Sequence, residues 1–329
     1  MNMTTPKKIL ATRIFPEAGI QLLKDEGFSV TVWDKDRLMT RQELVENAKS
    51  HNALFCTLTD KIDKEFLEQC NHLDIISQFG VGFDNIDIDE ATRLEIPVGN
   101  TPDVLSEATA DIAFGLMIAT SRKMFYLHKS IERGEWKYFT PNAHLGIELK
   151  NKTLGIFGLG RIGLEMGRRC KGAYNMNIIY HNRTRNLLAE EELGARFVSF
   201  NELLAQSDVL SAHCALTAQT KGIFNKEAFE LMKPTSIFIN TARGTVHNEA
   251  DLIDALQSQR IWGAGLDVTN PEPMHPDNPL LSMENVSVLP HIGSGNEETR
   301  AKMSVLAAQN IIGFYKHNRV PHLVNPGAI

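Results

Sequence analysis

Three residues able to act on a carbonyl compound stand just after three apolar, strand-like runs late in the chain. Arg243 follows residues 236–240 through Thr241-Ala242, Glu272 follows 263–268 through Thr269-Asn270-Pro271, and His291 follows 285–290 directly. Open α/β sheets bind ligands beyond the carboxyl ends of their strands, so an Arg, a Glu and a His at three such ends form a candidate site. A guanidinium can clamp a carboxylate and polarise the carbonyl next to it. An imidazolium can deliver a proton as hydride reaches carbon, and a carboxylate beside that ring favours its charged form and fixes its orientation. The chemistry expected of this trio is reduction of a 2-keto acid.

A hydride source is written elsewhere in the chain. Gly158, Gly160 and Gly163 form Gly-Leu-Gly-Arg-Ile-Gly directly after the strand-like residues 153–157 and at the start of a helix-like run, 161–170. The first glycine permits a tight turn, the second lets a pyrophosphate approach the backbone, and the third lets helix pack on strand. The amides around Arg161 and Ile162 then meet the phosphates at the helix N-terminus. An NAD site carries an Asp or Glu about 20 residues beyond its glycines, for the ribose hydroxyls. Here the second strand, 177–180, runs into His181-Asn182-Arg183-Thr184-Arg185, with no carboxylate. Arginine offers a planar fork of donors to a ribose 2′-phosphate, so NADP(H) is expected over NAD(H).

These groups need a scaffold of parallel strands and crossover helices, and the pattern supplies one. Strand-like segments are expected at 8–11, 29–33, 53–58, 74–79 and 97–99, with helices at 17–26, 41–49, 64–70 and 89–94. Thr40 followed by Glu43 has the spacing of a capping box. After Thr101-Pro102-Asp103, a helix apolar on nearly every face is expected from 106 to 131, buried against another domain or subunit. Strands resume at 153 and continue through 209–213, and a last helix, 297–317, can cross back to the first domain. The fold class expected is α/β with two doubly wound parallel-sheet domains. A Rossmann NAD(P)-binding domain, 103–297, is inserted into a flavodoxin-like substrate-binding domain made of 1–102 and 298–329.

Bulk properties narrow the function classes. At 329 residues the chain can bury two cores. A net charge of −6 gives no general attraction for nucleic acid or acidic membranes. The apolar stretches stay strand-length, and residues 1–8 lack an apolar leader, so a cytoplasmic location is expected. Cys56, Cys70, Cys170 and Cys214 are widely separated, which reads as reduced thiols rather than a disulfide frame or a zinc site, and no metal is expected.

Over nearly its whole length the chain resembles the D-isomer-specific 2-hydroxyacid dehydrogenases. The matching motifs are Gly80-Val81-Gly82-Phe83-Asp84-Asn85-Ile86-Asp87, the loop 158–163, and the segments 240–244, 267–273 and Pro290-His291-Ile292-Gly293. The resemblance implies that Arg243 binds substrate, His291 is the acid/base and Glu272 supports it. It also implies that the amides of Val81 and Gly82 hold the substrate carboxylate, as a glycine-rich turn can. Thr109, Cys214, Ala215, Leu216, Thr241, Ala242, Asp267 and Gly293 match positions lining the cofactor. A homodimer through the nucleotide domain and the 106–131 helix is implied as well.

Within that family, the acid-free segment after Tyr180 is similar to the NADPH-preferring glyoxylate, hydroxypyruvate and 2-ketogluconate reductases. Glu272 argues against the formate dehydrogenases, which carry Gln there. The substrate expected is a small 2-keto acid entering an interdomain cleft, with Leu58, Phe83 and Trp136 among the pocket walls and a D-2-hydroxy acid as product. Two alternatives are a short NAD-dependent dehydrogenase such as a phosphoglycerate enzyme, and a cofactor-sensing corepressor. The latter would call for a partner-binding extension.

Overall fold

The computed structural model describes residues 6–329. The expectation about a leader within residues 1–8 therefore lies largely outside the described residues. The chain divides into two compact units, one running through Leu105 and resuming at Gly295–Ile329, the other Ser106–Ser294.

The first unit alternates β1 (Lys8–Ala11), α1 (Glu17–Asp25), β2 (Ser29–Val32), α2 (Arg41–Ala48), β3 (Ala53–Thr57), α3 (Lys64–Gln69), β4 (Ile75–Phe79), α4 (Ile88–Arg93) and β5 (Val98–Gly99). All pairings are parallel, in the order β2-β1-β3-β4-β5. That is the flavodoxin-like strand order. Thr40 caps α2 as its spacing predicts: its hydroxyl accepts from Glu43 N at 3.2 Å, and Glu43 Oε2 accepts from Thr40 N at 2.9 Å.

The second unit holds α5 (Ser106–Ser121), α6 (Met124–Glu132), β6 (Thr153–Phe157), α7 (Arg161–Tyr174), β7 (Asn177–His181), α8 (Leu187–Leu193), β8 (Arg196–Phe197), α9 (Phe200–Gln206), β9 (Val209–Ala212), α10 (Lys226–Leu231), β10 (Ile237–Asn240), α11 (Glu249–Gln257), β11 (Gly263–Leu266) and β12 (Val286–Val288). Its seven parallel strands run β12-β11-β10-β9-β6-β7-β8, a doubly wound order with one added strand at the β12 edge. The final helix α12 (Glu297–His317) returns to the first unit, where it packs on α1 and β4. The inner strands of both sheets are buried on both faces, which is why β3, β9 and β10 read as mainly apolar runs, while the edge strands β2 and β8 stay partly or fully exposed. In β10, Ile237 and Ile239 face one core cluster while Phe238 faces the other.

One expected element is corrected. The helix anticipated over 106–131 is two helices, broken at Lys123, whose φ is +56°. A left-handed residue cannot continue a right-handed helix. The freed Ser121 carbonyl accepts from Ile147 N at 3.0 Å, so a later segment docks where α5 ends. The apolar faces of α5 are also explained within its own unit, because it packs on α7, β10, β11 and β12. Shorter elements, β8 and α8 to α11, went unassigned in the sequence pattern, and strand ends such as 267–268 and 289–290 belong to loops that carry the site.

The four cysteines are free. Burial pushes the Cys170 thiol up to about 12 and that of Cys214 up to about 11, so both stay protonated at neutral pH. Among the described residues no helix is long and apolar enough to cross a membrane.

Candidate active site

Strands β10, β11 and β12 are neighbours, with Asn240, Leu266 and Val288 level in the sheet. Each strand therefore releases its loop at the same edge, and those loops bear Arg243, Glu272 and His291. His291 Nδ1 lies 2.5 Å from Glu272 Oε1. A carboxylate accepts, so Nδ1 carries the hydrogen and Nε2 is left without a protein partner among the described residues. The pair is partly open to solvent, with side-chain exposures of 24% and 36%.

The His291 backbone sits at φ +53°, in the left-handed region that costs an ordinary residue about 1–2 kcal/mol. Asp267 holds it there. Its carbonyl accepts from His291 N at 2.8 Å, and its carboxylate oxygens accept from Ile292 N at 2.8 Å and Gly293 N at 2.7 Å. Burial pushes the Asp267 carboxyl above its ordinary value, against the pull of these amides and of His291. Gly293 also abuts Thr109: a Cβ there would lie 3.1 Å from Asp267 Oδ2 and 3.2 Å from Thr109 Cγ2. Three residues expected at the cofactor are thus brought together.

Arg243 is set by Asn240, a buried residue whose part the sequence reading missed. Asn240 Oδ1 accepts from Ala242 N at 2.9 Å, while Nδ2 donates to Arg243 O at 2.9 Å and to His247 Nδ1 at 3.0 Å. Arg243 Nη1 donates to Ala242 O at 2.8 Å. The next residue locks this loop to its neighbour, since a Cβ on Gly244 would fall 1.8 Å from Thr269 O. The Arg243 and Glu272 loops are therefore in backbone contact. His247 itself is buried and its acid form suppressed: burial lowers it to about 4.

The glycine loop has the geometry that a dinucleotide requires. Gly158 turns at φ +95°, a Cβ on Gly160 would meet only open space, and a Cβ on Gly163 would lie 2.9 Å from Gly158 O. Turn, open approach and close helix packing fall to the three glycines in that order. The amides of Ile162 and Gly163 have no protein acceptor among the described residues. Cys214 backs the loop, its nitrogen 2.6 Å from a Cβ placed on Gly158. Ala215 and Leu216 continue from there, Ala215 exposed and Leu216 half-buried. Thr241 Oγ1 stands 3.3 Å from His213 Nδ1, and Ser211 Oγ is 2.8 Å from the other nitrogen of that ring.

The residues expected at the 2′-phosphate divide by role. His181 is stacked between Phe157 and Phe197, with Nδ1 on Val198 O at 2.9 Å. Asn182 braces the glycine loop: Oδ1 accepts from Leu159 N at 2.6 Å and Nδ2 donates to Leu159 O at 3.1 Å. Arg185 pairs with Glu190, which also accepts from Tyr180 Oη at 2.5 Å. The Arg185 guanidinium and the Tyr180 hydroxyl pull that carboxyl down to about 2. A carboxylate therefore does stand beside this segment, supplied from α8, where reading on from β7 could not find it. Arg183 is exposed and makes no ion pair among the described residues.

In the first unit, the turn after β4 has its carbonyls tied back. Gly80 O accepts from Thr101 N at 2.9 Å, Val81 O from Asn100 Nδ2 at 2.9 Å, and Gly82 O from Gln78 Nε2 at 3.2 Å. The amides of Val81 and Gly82 donate to no protein group among the described residues. Also among those residues, no group of three or more His, Cys, Asp and Glu is placed to hold a metal ion.

Comparison with known proteins agrees with this arrangement. Residues 114–293 match the D-isomer specific 2-hydroxyacid dehydrogenase NAD binding domain. A glyoxylate reductase of Pyrococcus furiosus is 45% identical over 326 residues, covering 98% of this chain and 96% of the relative. Among solved structures, a glyoxylate reductase from Paecilomyes thermophila superposes with a TM-score of 0.86 at 34% identity, covering 98% and 99% of the two chains. An NADPH-dependent glyoxylate/hydroxypyruvate reductase from Sinorhizobium meliloti, in complex with NADP and malonate, gives 0.83 at 30% identity, covering 98% of each chain. With its nicotinamide-dinucleotide loop and its paired His and Glu, this chain belongs to the D-isomer specific 2-hydroxyacid dehydrogenases, NAD(P)-dependent oxidoreductases that act on CH–OH groups.

Proposed function

We propose that the protein reduces small 2-keto acids to D-2-hydroxy acids, with NADPH preferred over NADH and glyoxylate, hydroxypyruvate and 2-ketogluconate as substrates. The observation that carries this reading is the His291–Glu272 pair at 2.5 Å, with Nε2 of the ring left for a substrate oxygen. The relatives' names point to glyoxylate, and one also to hydroxypyruvate and NADPH.

In this reading the amides of Val81 and Gly82 take the substrate carboxylate. Arg243 binds the same carboxylate and draws electron density from the carbonyl at C2. Reduced nicotinamide, when bound, supplies hydride. His291 Nε2 passes its proton to the carbonyl oxygen, and Glu272 balances the charge on the ring and holds its Nδ1–H. Ile162, Gly163 and the open Gly160 receive the pyrophosphate, while Arg183 meets the 2′-phosphate. Arg185 serves that phosphate indirectly by neutralising Glu190, which would otherwise repel it.

A homodimer built through the nucleotide-binding unit accompanies this proposal, along with a cytoplasmic setting. Its support is the apolar surface on and after α6: Trp136 is 71% exposed and Phe139 84%. Initial rates of NADPH and NADH oxidation with each of the three keto acids test the function. Turnover favouring NADPH bears it out, and cofactor binding without turnover of any of them refutes it.

A further inference from the structure

We propose that Gln78 and Asn100 are positioning residues that aim the Val81–Gly82 amides at the substrate carboxylate. This rests on the keto-acid reading above and names residues that the reading does not itself require. A peptide turns as a plane, so fixing a carbonyl fixes the direction of the amide that follows it. Asn100 Nδ2 holds Val81 O at 2.9 Å, which sets the Gly82 N–H. Thr101 N holds Gly80 O at 2.9 Å, which sets the Val81 N–H. Gln78 Nε2 holds Gly82 O at 3.2 Å; this bond directly sets the Phe83 N–H, and it bears on the Gly82 amide by pinning the peptide on the other side of the Gly82 Cα.

The anchors are themselves anchored. Gln78 is fully buried, and its Nε2 also donates to Asn85 Oδ1 at 3.0 Å. Asn85 Nδ2 in turn donates to Asp60 O at 2.9 Å and Thr57 O at 3.2 Å, tying the turn to the end of β3. Asn100 O accepts from Asn310 Nδ2 at 2.9 Å, which ties the other anchor to α12. Donors fixed before the anion arrives need no reorganisation when it binds, and that is the energetic advantage of such a nest. A turn whose only task was to link β4 to α4 would not need three successive carbonyls restrained while the Val81 and Gly82 amides between them donate to no protein group among the described residues.

The test uses the full-length protein with Asn100→Ala and Gln78→Met, each removing a donor without adding charge. Glyoxylate is the substrate and oxamate the unreactive carboxylate probe. Glyoxylate KM and oxamate Kd should each rise about tenfold, the equivalent of one hydrogen bond. NADPH affinity should stay unchanged, and kcat should fall by less than KM rises. Should Gln78→Met fail to fold, the part-exposed Asn100→Ala decides alone. Folded variants whose KM and oxamate Kd stay within about twofold of the parent overturn the proposal. If the parent protein turns over glyoxylate, only the positioning roles are lost; if it turns over no keto acid, the reading beneath them fails as well.

Discussion

His291 donates through Nδ1 to Glu272 across 2.5 Å, and the two residues come from loops after different strands. The bond fixes the tautomer, so the ring nitrogen left for chemistry is Nε2. Replacing Glu272 with Gln keeps the size but removes the charge and allows the amide to present either face. The kcat for glyoxylate should fall by about 100-fold, with NADPH affinity unchanged. A variant that retains parental kcat would show that the carboxylate has no part in the reaction.

The cofactor segment predicts a split between two neighbours. Arg183→Ala should raise KM for NADPH by about 10- to 100-fold and leave KM for NADH nearly unaltered, since only NADPH carries the 2′-phosphate. Asn182→Ala should weaken both cofactors alike, because its bonds run to Leu159 in the glycine loop. Equal losses for the two cofactors in Arg183→Ala would remove that residue from the 2′-phosphate site.

Burial lowers His247 from its ordinary value to about 4. The unfolded chain therefore binds a proton that the folded one refuses between roughly pH 6.5 and pH 4. Stability is full above this window and falls with pH inside it, by on the order of 3 kcal/mol for this residue. Urea midpoints measured from pH 7 to pH 4 should fall less steeply in His247→Gln. Superimposable pH profiles for parent and variant would contradict the assignment. His213, also lowered to about 4 by burial, adds a slope of its own in both proteins.

Much of this was legible from residue order. The limits of β1, β6 and α12, the Thr40–Glu43 box and the three glycine roles rest on local patterns, and local patterns are what a sequence displays. The break at Lys123 was not legible, because the apolar residues of α5 and α6 run together and the left-handed turn is held by Ile147. Glu190 escaped for a related reason: its pairing with Arg185 and Tyr180 is made by the approach of α8 to the end of β7. Asn240 lay in plain view inside the arginine motif, yet three hydrogen bonds from one buried amide can be seen only in the fold.

In the proposed reaction His291 supplies the proton that completes keto-acid reduction. Single-turnover oxidation of bound NADPH by glyoxylate, followed in the parent and in His291→Gln, tests it most directly. The rate in the variant should fall by about 10³-fold or more, with NADPH binding intact. A variant within about tenfold of the parent would contradict it.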